Sequence, residues 1–408
     1  MTRHLLASNY DAYERMLQAI KARGDIWTIS QGEYMRWWQK RENATLRIVV
    51  ADGKCTPSSS LKDAAFEKYP GEFLKRPVVS CKKTKFSGEV WLTIDSTLEK
   101  KELLIELLKR EGILNFQVAK EGEFLLSHDK VGALLEKVDA KLRKRGRLFE
   151  TDIAAIKQVI IDKLAERGLP LLRIWYHPKI NDTIIKAVFS PRYDVDRAIT
   201  NLARIRKLEQ KYEVTSTLYI RAFCPFYSDK DVQALASSPW CSEIGLHGEF
   251  VRNSQRYGDE FSAARAEKEH LEKLIGRPVT GVCLHGGELT SNLSDDTLDA
   301  LERAGFLYDT TTGLRYHFPV RTLVNGRMRN VYCLKHVFGD NKVPPTRDYA
   351  RNFYEKVMEK MDKVHEQNGV FVLILHPVYF GFFSYLLRPK NFTMIVKFFW
   401  NNFKQSPL

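Results

Sequence analysis

The sequence predicts an α/β protein: a distorted (β/α) barrel preceded by a small β-rich or α+β domain. From about residue 182 onward, strand-like and helix-like segments alternate, as they do in parallel β/α units. Several of the strand-like runs end in Asp or His, which is expected where strand ends converge on one catalytic mouth. Before this region, residues 45–130 consist mainly of short strand-like runs.

The 408 residues exceed one typical domain, and we divide them into four segments. Residues 1–44 have a helix–strand–helix pattern, with the strand at 26–29. Residues 45–130 form the β-rich accessory module, with strands expected at 46–50, 90–94, 115–118 and 123–126 and a helix at 101–110. Residues 131–180 are expected to be a helical connector, and residues 181–408 the barrel.

Within the barrel, the periodicity predicts five strands and five helices. The strands are expected at 184–189, 214–220, 244–246, 279–284 and 370–375, and the helices at 196–211, 228–236, 261–275, 294–304 and 349–367. Asn292 or Ser294 would cap the fourth helix. No Gly-x-Gly-x-x-Gly or Walker loop occurs in the chain, so nucleotide binding has no support.

The composition is that of a globular protein, with 44% hydrophobic residues and a formal net charge of +14. The basic excess includes clusters at 141–147 and beyond residue 388, which suit a solvated face or attraction to anionic glycans or phospholipid head groups. No nucleic-acid-binding signature accompanies the charge, so no nucleic acid partner is expected. The oligomeric state is left open.

The six cysteines have no paired spacing, which predicts small buried side chains in a reducing compartment rather than disulfides. The amino terminus is too short and polar for a secretory signal. The apolar stretch 370–387 contains His376 and Pro377, so we interpret it as a core strand and its following loop rather than a membrane span. We therefore expect a cytoplasmic protein, with peripheral membrane association as an open alternative.

Two carboxylates follow the first barrel strand. Asp194 and Asp196 flank Val195, so on an extended segment both side chains point to the same side. Two such acids repel each other unless a cation or Arg192 neutralises them. A divalent metal would do so, with one Asp as ligand and the other free to accept a proton. Alternatively, Asp196 caps the next helix and Asp194 is an ordinary loop acid.

Three histidines stand at later strand ends: His247, His285 and His376. Each alone could be a core histidine, but together with the carboxylates they suit a metal-dependent hydrolase. The Gly286-Gly287 pair after His285 resembles an oxyanion-hole loop of serine esterases, yet the chain has no Gly-x-Ser-x-Gly nucleophile elbow. The remaining residues of interest are His317, His336 and Trp175, interpreted as structural, and Tyr379 and Phe380, interpreted as substrate-facing.

These motifs resemble those of the polysaccharide deacetylase family, the NodB-homology carbohydrate esterases. The resemblance covers roughly residues 184–399 and takes the divergent Arg-x-Asp-Val-Asp form. It rests on the Asp194–Asp196 pair, on the sequence Glu-Ile-Gly-Leu before His247, and on the closing Leu-x-x-His-Pro at 373–377. The amphipathic helix, residues 274–281 and the strand end at 284 also resemble the segment that leads to the family's third motif.

The resemblance implies a NodB-like barrel that binds one divalent metal, commonly zinc, and removes an N- or O-acetyl group from a cell-envelope or exopolysaccharide glycan. Asp194 would then be the catalytic base and His376 the acid that protonates the leaving amine. Asp196 and His247 would be metal ligands by the resemblance, and we infer that His285 supplies the ligand that the family takes from a second histidine. Substrate contacts are assigned to Arg192, Glu249 and Tyr379, and Glu249 is an alternative ligand.

The chain departs from the family pattern at two points. The second histidine of the second motif falls on Val251, and the third motif's Arg-x-Pro is replaced by Leu284-His285-Gly286. These departures leave open a non-catalytic protein that binds carbohydrate or serves in polysaccharide assembly. A metal-dependent amidase acting on a non-sugar substrate is a third hypothesis.

Residues 16–34 also resemble the final helix, strand and helix of a deacetylase domain. They would belong to the tail of a preceding domain in a longer tandem protein, which is the expectation we prefer. Alternatively, they pack onto this chain's own barrel in the position of its missing tail.

Overall fold

The structure is a computed structural model, which describes residues 2–380 apart from several short gaps. The gaps are residues 76, 83, 96–97, 99, 115–122, 127, 146–149, 198, 240, 286–292, 312–316, 325–326 and 344–347. The strand expected at 115–118, the Gly286-Gly287 pair, Asn292 and the basic tail beyond residue 388 therefore lie outside the described residues.

The amino-terminal segment and the accessory module contain the first elements. They are α1 (Thr2–Lys21), β1 (Ile26–Thr28), α2 (Gln31–Glu42), β2 (Leu46–Ala51), β3 (Lys54–Ser59), β4 (Ala64–Lys68), β5 (Glu72–Phe73), β6 (Val79–Ser80), β7 (Gly88–Ile94), α3 (Lys101–Arg110) and β8 (Glu123–Leu126). The helices α4 (His128–Arg145) and α5 (Glu150–Glu166) and the strands β9 (Leu172–Ile180) and β10 (Thr183–Ile184) follow.

The barrel contains the remaining elements. They are β11 (Ala187–Val195), α6 (Leu202–Lys211), β12 (Thr217–Ile220), α7 (Asp229–Ala236), β13 (Glu243–Gly248), α8 (Phe250–Tyr257), α9 (Glu260–Ile275), β14 (Gly281–Leu284), α10 (Asp295–Arg303), β15 (Tyr308–Asp309), β16 (Val320–Val324), β17 (Arg327–Cys333), β18 (Phe338–Gly339), α11 (Tyr349–Glu366) and β19 (Val370–Leu375). Short 3-10 turns lie at Ile199–Asn201, Asp340–Lys342 and Pro377–Phe380.

The barrel sheet has the order β16-β17-β15-β14-β13-β12-β11-β19-β18. All neighbouring pairs are parallel except the β16–β17 hairpin. Helices connect most of the parallel strands and cover the outer face, as parallel pairing requires. The chain thus has the α/β barrel fold expected from its sequence, in an incomplete, curled form.

The central strand β11 is buried along its whole length, and its side chains alternate between two environments. Phe189 and Tyr193 point outward to the helices, where the Tyr193 hydroxyl donates to Glu209 of α6 at 2.7 Å. Val188 and Arg192 point to the barrel interior, where Arg192 reaches Thr310 beyond β15. Asp194 has the same parity as Arg192, so β11 presents both charged groups inside the barrel.

The amino-terminal segment packs onto this same barrel. Strand β1 pairs in parallel with the first half of β11, with Ile26 opposite Ala187, and β12 pairs with the second half. Helix α2 lies against the barrel floor, where the Gly32 amide donates to Glu243 at 2.7 Å. Residues 26–28 thus contribute a strand to their own chain's sheet, as in the second arrangement considered above, whereas membership in a longer tandem protein stays a prediction.

The accessory module has two small sheets, with the orders β6-β3-β2-β7-β8 and β10-β9-β4-β5. The second sheet corrects the expectation of a purely helical segment at 131–180, because residues 172–180 form β9, which pairs with β4. Strand β9 carries Trp175, which is 1% exposed, so its predicted packing role is confirmed. Its backbone carbonyl accepts a hydrogen bond from Arg41 of α2 at 2.7 Å.

The cysteine prediction is wrong for one pair. Cys55 and Cys81 form a disulfide across a Cα–Cα distance of 6.1 Å, between β3 and the residue after β6. Antiparallel pairing of β3 with β6 brings these residues together, which their sequence spacing did not indicate. Cys224, Cys241, Cys283 and Cys333 are free thiols.

The stretch from residue 370 begins with β19, a fully hydrogen-bonded core strand, as expected. Among the described residues, no helix is long and apolar enough to cross a membrane.

Candidate active site

The carboxyl ends of four parallel strands bring the predicted site residues together. In the register of the sheet, Tyr193 is opposite Leu375, Val195 is opposite Ile220, and Ile220 is opposite Leu246. The next residues along these strands are the chemically active ones. Asp194, Asp196, His247, His285 and His376 therefore stand at one edge of the sheet, the edge where ligands bind in barrels of this kind.

Asp196, His247 and His285 form the most compact group. The Nε2 atoms of both histidines lie 3.1 Å from the same oxygen, Oδ1 of Asp196. Ligand atoms of the three residues all lie within 4.8 Å of one another. The His247 side chain is buried, whereas Asp196 and His285 are 28% and 19% exposed, so the group is open toward the barrel mouth.

The other ring nitrogens of both histidines are fixed from behind. Nδ1 of His247 lies 3.3 Å from the carbonyl oxygen of Cys283, and Nδ1 of His285 lies 3.0 Å from a carboxylate oxygen of Glu249. A carboxylate oxygen only accepts hydrogen bonds, so Nδ1 of His285 carries a proton. Nδ1 of His247 carries one in the tautomer that donates to the Cys283 carbonyl oxygen, and the Cys283 Sγ also lies 3.1 Å from it. In a neutral imidazole the Nε2 then presents its lone pair to the Asp196 carboxylate.

A carboxylate oxygen of Asp196 and an imidazole lone pair repel each other at 3.1 Å unless a positive charge lies between them or on the imidazole. Either protons on the imidazoles or one divalent cation supplies it. Two ligands bound to zinc at about 2.0–2.1 Å in tetrahedral geometry stand roughly 3.3 Å apart, close to the spacing here. One carboxylate and two backed histidines leave an open position for water or substrate, so the residues present fit a catalytic zinc site.

The pKa shifts agree with an electrostatically coupled group. Burial alone would raise the pKa of Asp196, but the hydrogen bonds from His247 and His285 hold it well below its usual range. The hydrogen bond to Asp196 raises the pKa of His285 above its ordinary value, against the opposing effect of burial.

Asp194 has a different environment from Asp196. Its carboxylate is 6% exposed, and its Oδ2 accepts a hydrogen bond from the Arg192 guanidinium at 2.9 Å. Burial would raise the pKa of Asp194, yet Arg192 lowers it below the ordinary value, so this carboxylate is ionised at neutral pH. The two acids are thus separated in role: Asp196 faces the histidines, and Asp194 is neutralised by an arginine.

Arg192, which the sequence predicts to contact substrate, is buried in the structure. Arg192 is 3% exposed, and its Nη1 also donates to the carbonyl oxygen of Thr310 at 2.6 Å. Its guanidinium lies 5.3 Å from the ring centroid of Tyr219, a cation–π contact. Arg192 is therefore a buried residue that positions the Asp194 carboxylate and neutralises its charge.

Glu249, which is also predicted to contact substrate, has a carboxylate that is occupied by Arg221 and His285. It is the N-cap residue of α8, and its carboxylate forms a two-pronged ion pair with Arg221 at 3.0 Å. The same carboxylate accepts from His285, so it orients that imidazole. Val251, where the family's second histidine would fall, lies on α8 and packs against the core.

Cys283 links the two halves of the site from below. Its Sγ lies 3.1 Å from Nδ1 of His247 and 3.7 Å from Oδ1 of Asp194, and all three side chains are buried. Burial raises the pKa of the Cys283 thiol well above its usual value, so the group is a neutral thiol. It fills the space between the carboxylate and the imidazole.

His376 is held by Asp340, which the sequence analysis missed. The Asp340 carboxylate accepts from Nδ1 of His376 at 2.6 Å and from its backbone amide at 2.7 Å. Burial would lower the pKa of His376, but Asp340 and, more weakly, Asp194 and Asp196 raise it to about 9. The imidazole is therefore a proton donor at neutral pH.

The residues after His376 have separate roles. The ring of Tyr379 lies 5.4 Å from that of His376, at the site, whereas Phe380 is 6% exposed and packs on Tyr10 and Tyr13 of α1. The prediction of a substrate-facing role is therefore wrong for Phe380, and the role of Tyr379 stays a prediction. Burial lowers the pKa of both His317 and His336 to about 4, consistent with structural histidines.

Comparison with solved structures finds loosely similar folds. A candidate polysaccharide deacetylase from Mycobacterium smegmatis has 16% identity and a TM-score of 0.38, over 53% of this chain and 83% of that one. The allantoinase PuuE has 16% identity and a TM-score of 0.35, over 54% and 84%. A mutant of a CE4 family pseudoenzyme with restored enzymatic activity has 13% identity and a TM-score of 0.31, over 51% and 61%.

No protein-family model matches the sequence, and no curated protein matches it significantly. Because the identities are this low, the chemistry of the site is inferred from this chain's own residues and not from the similar structures.

Proposed function

We propose that this protein is a metal-dependent hydrolase that removes N- or O-acetyl groups from a cell-envelope or exopolysaccharide glycan. The observation that carries the proposal is the convergence of two backed imidazole nitrogens on one oxygen of Asp196, each at 3.1 Å. A divalent cation held by Asp196, His247 and His285 would polarise the acyl carbonyl and lower the pKa of water.

The side chains around this group can move the required protons. Asp194 is ionised and fixed by Arg192, so it can take a proton from the attacking water. His376, whose pKa is raised to about 9, is protonated at neutral pH and can give a proton to the leaving amine or alkoxide. An acid and a base with separated pKa values are what hydrolysis of an amide or ester needs.

The motif resemblance supports a glycan substrate, and the partial exposure of Asp196 and His285 leaves the site accessible to it. A non-sugar amide would require the same chemistry, so the acyl acceptor has to be identified by experiment. A screen of acylated sugars and acylated small amides separates the two cases.

The direct test is metal content together with acetate release from N-acetylated oligosaccharides. We expect one zinc per chain in the wild-type protein, loss of zinc in Asp196→Ala, and retention of zinc without acetate release in His376→Ala. Asp182→Ala is the matched control, because its side chain is 94% exposed and pairs with Lys179 on the surface. Wild-type protein that holds no metal and releases no acetate would refute the proposal.

A second candidate is a catalytically inactive protein on the same barrel that binds carbohydrate or serves in polysaccharide assembly. The absence of a histidine at Val251 favours it, because one ligand of the family pattern is missing. Glycan binding that persists after treatment with a chelator, without any acetate release from the metal-loaded protein, would identify this case.

A further inference from the structure

Two phenylalanine rings are exposed at the rim of the barrel mouth. Phe223 is 46% exposed and Phe226 is 54% exposed, and both lie on one loop, residues 221–227, which we call the rim loop. The rim loop follows β12, whose neighbours in the sheet carry Asp196 and His247 at their ends. Single exposed apolar residues are common, but two aromatic rings within four residues beside a candidate site indicate a binding surface.

The rim loop is attached to the site by hydrogen bonds. The Tyr227 hydroxyl donates to the carbonyl oxygen of Val195 at 3.0 Å and accepts from the Arg221 amide at 2.9 Å. Cys224 Sγ contacts the carbonyl oxygen of Asp196 at 3.5 Å. At the other end, the Arg221 guanidinium holds Glu249, the partner of His285. The two rings therefore stand at a fixed position relative to the candidate ligands.

Each ring has a cationic or aromatic neighbour on one side. The Arg197 guanidinium lies 4.6 Å from the ring centroid of Phe226, and the His270 ring lies 4.6 Å from that of Phe223. These contacts hold the rings in place while leaving about half of their surface in water. A free aromatic face carries negative partial charge, and it attracts the weakly positive C–H face of a sugar ring while shedding water from an apolar surface.

We propose that Phe223 and Phe226 form an aromatic platform that binds a sugar ring next to the acetylated sugar, so that the substrate is an oligosaccharide rather than a monosaccharide. This inference rests on the proposed function and adds to it the residues that bind the sugar beside the acetylated one. A lipid surface is the less favoured occupant, because the charges of Asp229, Lys230 and Asp231 at the start of α7 and of Arg197 beside Phe226 sum to zero, and anionic head groups bind to basic clusters.

The test compares binding of tetra-N-acetylchitotetraose and N-acetylglucosamine by isothermal titration calorimetry. We expect Phe226→Ala to raise the Kd of the tetrasaccharide about tenfold and to leave monosaccharide binding unchanged. Phe226→Trp should restore tetrasaccharide binding, because it keeps an aromatic face. Leu125→Ala is the matched control, since Leu125 is 59% exposed on β8 of the accessory module.

Equal tetrasaccharide affinity in wild-type protein and Phe226→Ala, or no binding by the wild type, would overturn the platform. Loss of binding to phosphatidylglycerol vesicles in Phe226→Ala, with unchanged glycan binding, would overturn it in favour of a lipid surface. Acetate release is measured separately. If Phe226→Ala binds the tetrasaccharide more weakly but the wild type releases no acetate, the platform is upheld and the proposed chemistry is refuted. If the wild type releases acetate but Phe226→Ala binds the tetrasaccharide as well as the wild type does, the chemistry is upheld and the platform is refuted.

Discussion

Replacement of Asp340 by Asn tests the electrostatics of the proposed acid. Asp340 accepts two hydrogen bonds from His376, and it is the largest contributor that raises the imidazole pKa from 6.5 to about 9. A shift of this size corresponds to about 3 kcal/mol of differential stabilisation of the protonated imidazole. In Asp340→Asn we expect the pKa of His376 to fall toward or below 6.5, because burial then opposes its charge.

The sign of the stability effect follows from proton linkage. The native pKa of His376 is raised, so its contribution is fully present below pH 6.5 and is lost as the pH rises through about 9. Across that window the native state holds one more proton than the unfolded state, which adds a slope of about −1.4 kcal/mol per pH unit to the free energy of unfolding.

Urea unfolding of both proteins at intervals from pH 6 to pH 9.5 measures this slope. We expect the wild-type protein to lose about 3 kcal/mol more than Asp340→Asn over that range. The variant is also less stable at every pH, because the His376 amide loses a charged acceptor, so the slope rather than the absolute value is the readout. Parallel pH profiles in the two proteins would refute the reasoning, as would an unchanged His376 titration by NMR.

Three further predictions concern the buried parts of the site. Arg192→Met should destabilise the protein by about 3–5 kcal/mol in urea unfolding, because it leaves the Asp194 carboxylate buried and unpaired. Glu249→Gln should weaken zinc affinity roughly 10- to 100-fold in a competition titration, because His285 loses its charged acceptor. Gly245→Ala should cost about 1–3 kcal/mol, because a Cβ there would lie 2.5 Å from a buried aromatic ring on β12.

The exposed pair of Arg47 and Glu89 provides matched controls for the charge changes. These side chains are 54% and 32% exposed and stand 3.4 Å apart on the accessory module. Arg47→Met and Glu89→Gln should each change stability by less than about 1 kcal/mol and leave zinc affinity unaltered. Control effects as large as those at Arg192 and Glu249 would show that burial is not their cause.

The sequence was sufficient to predict the elements that follow a regular period and the chemistry at their ends. The helix at 101–110 and the strand at 370–375 have the predicted bounds. The convergence of Asp196, His247 and His285 could be anticipated because parallel strands start and end together, so residues at equivalent strand ends become neighbours.

The supporting residues could not be predicted in the same way. Asp340 follows β18, a strand of two residues, and it contacts His376 across 36 positions of sequence. Glu249 was identified, but its orientation toward Arg221 depends on how α8 begins, and α8 itself was not predicted. Arg192 was expected to meet substrate, because no periodicity distinguishes a buried arginine paired with Asp194 from an exposed one.

Strand β1 has its partner in the sheet far along the chain. Ile26 pairs with Ala187, so a segment made early must remain without its partner while about 160 further residues are synthesised. At translation rates of about 5–20 residues per second, that interval lasts roughly 10–30 s. During it the tryptophans of α2, buried in the finished fold, have no barrel floor to cover them. Apolar surface that is exposed for this time makes the nascent chain prone to aggregation.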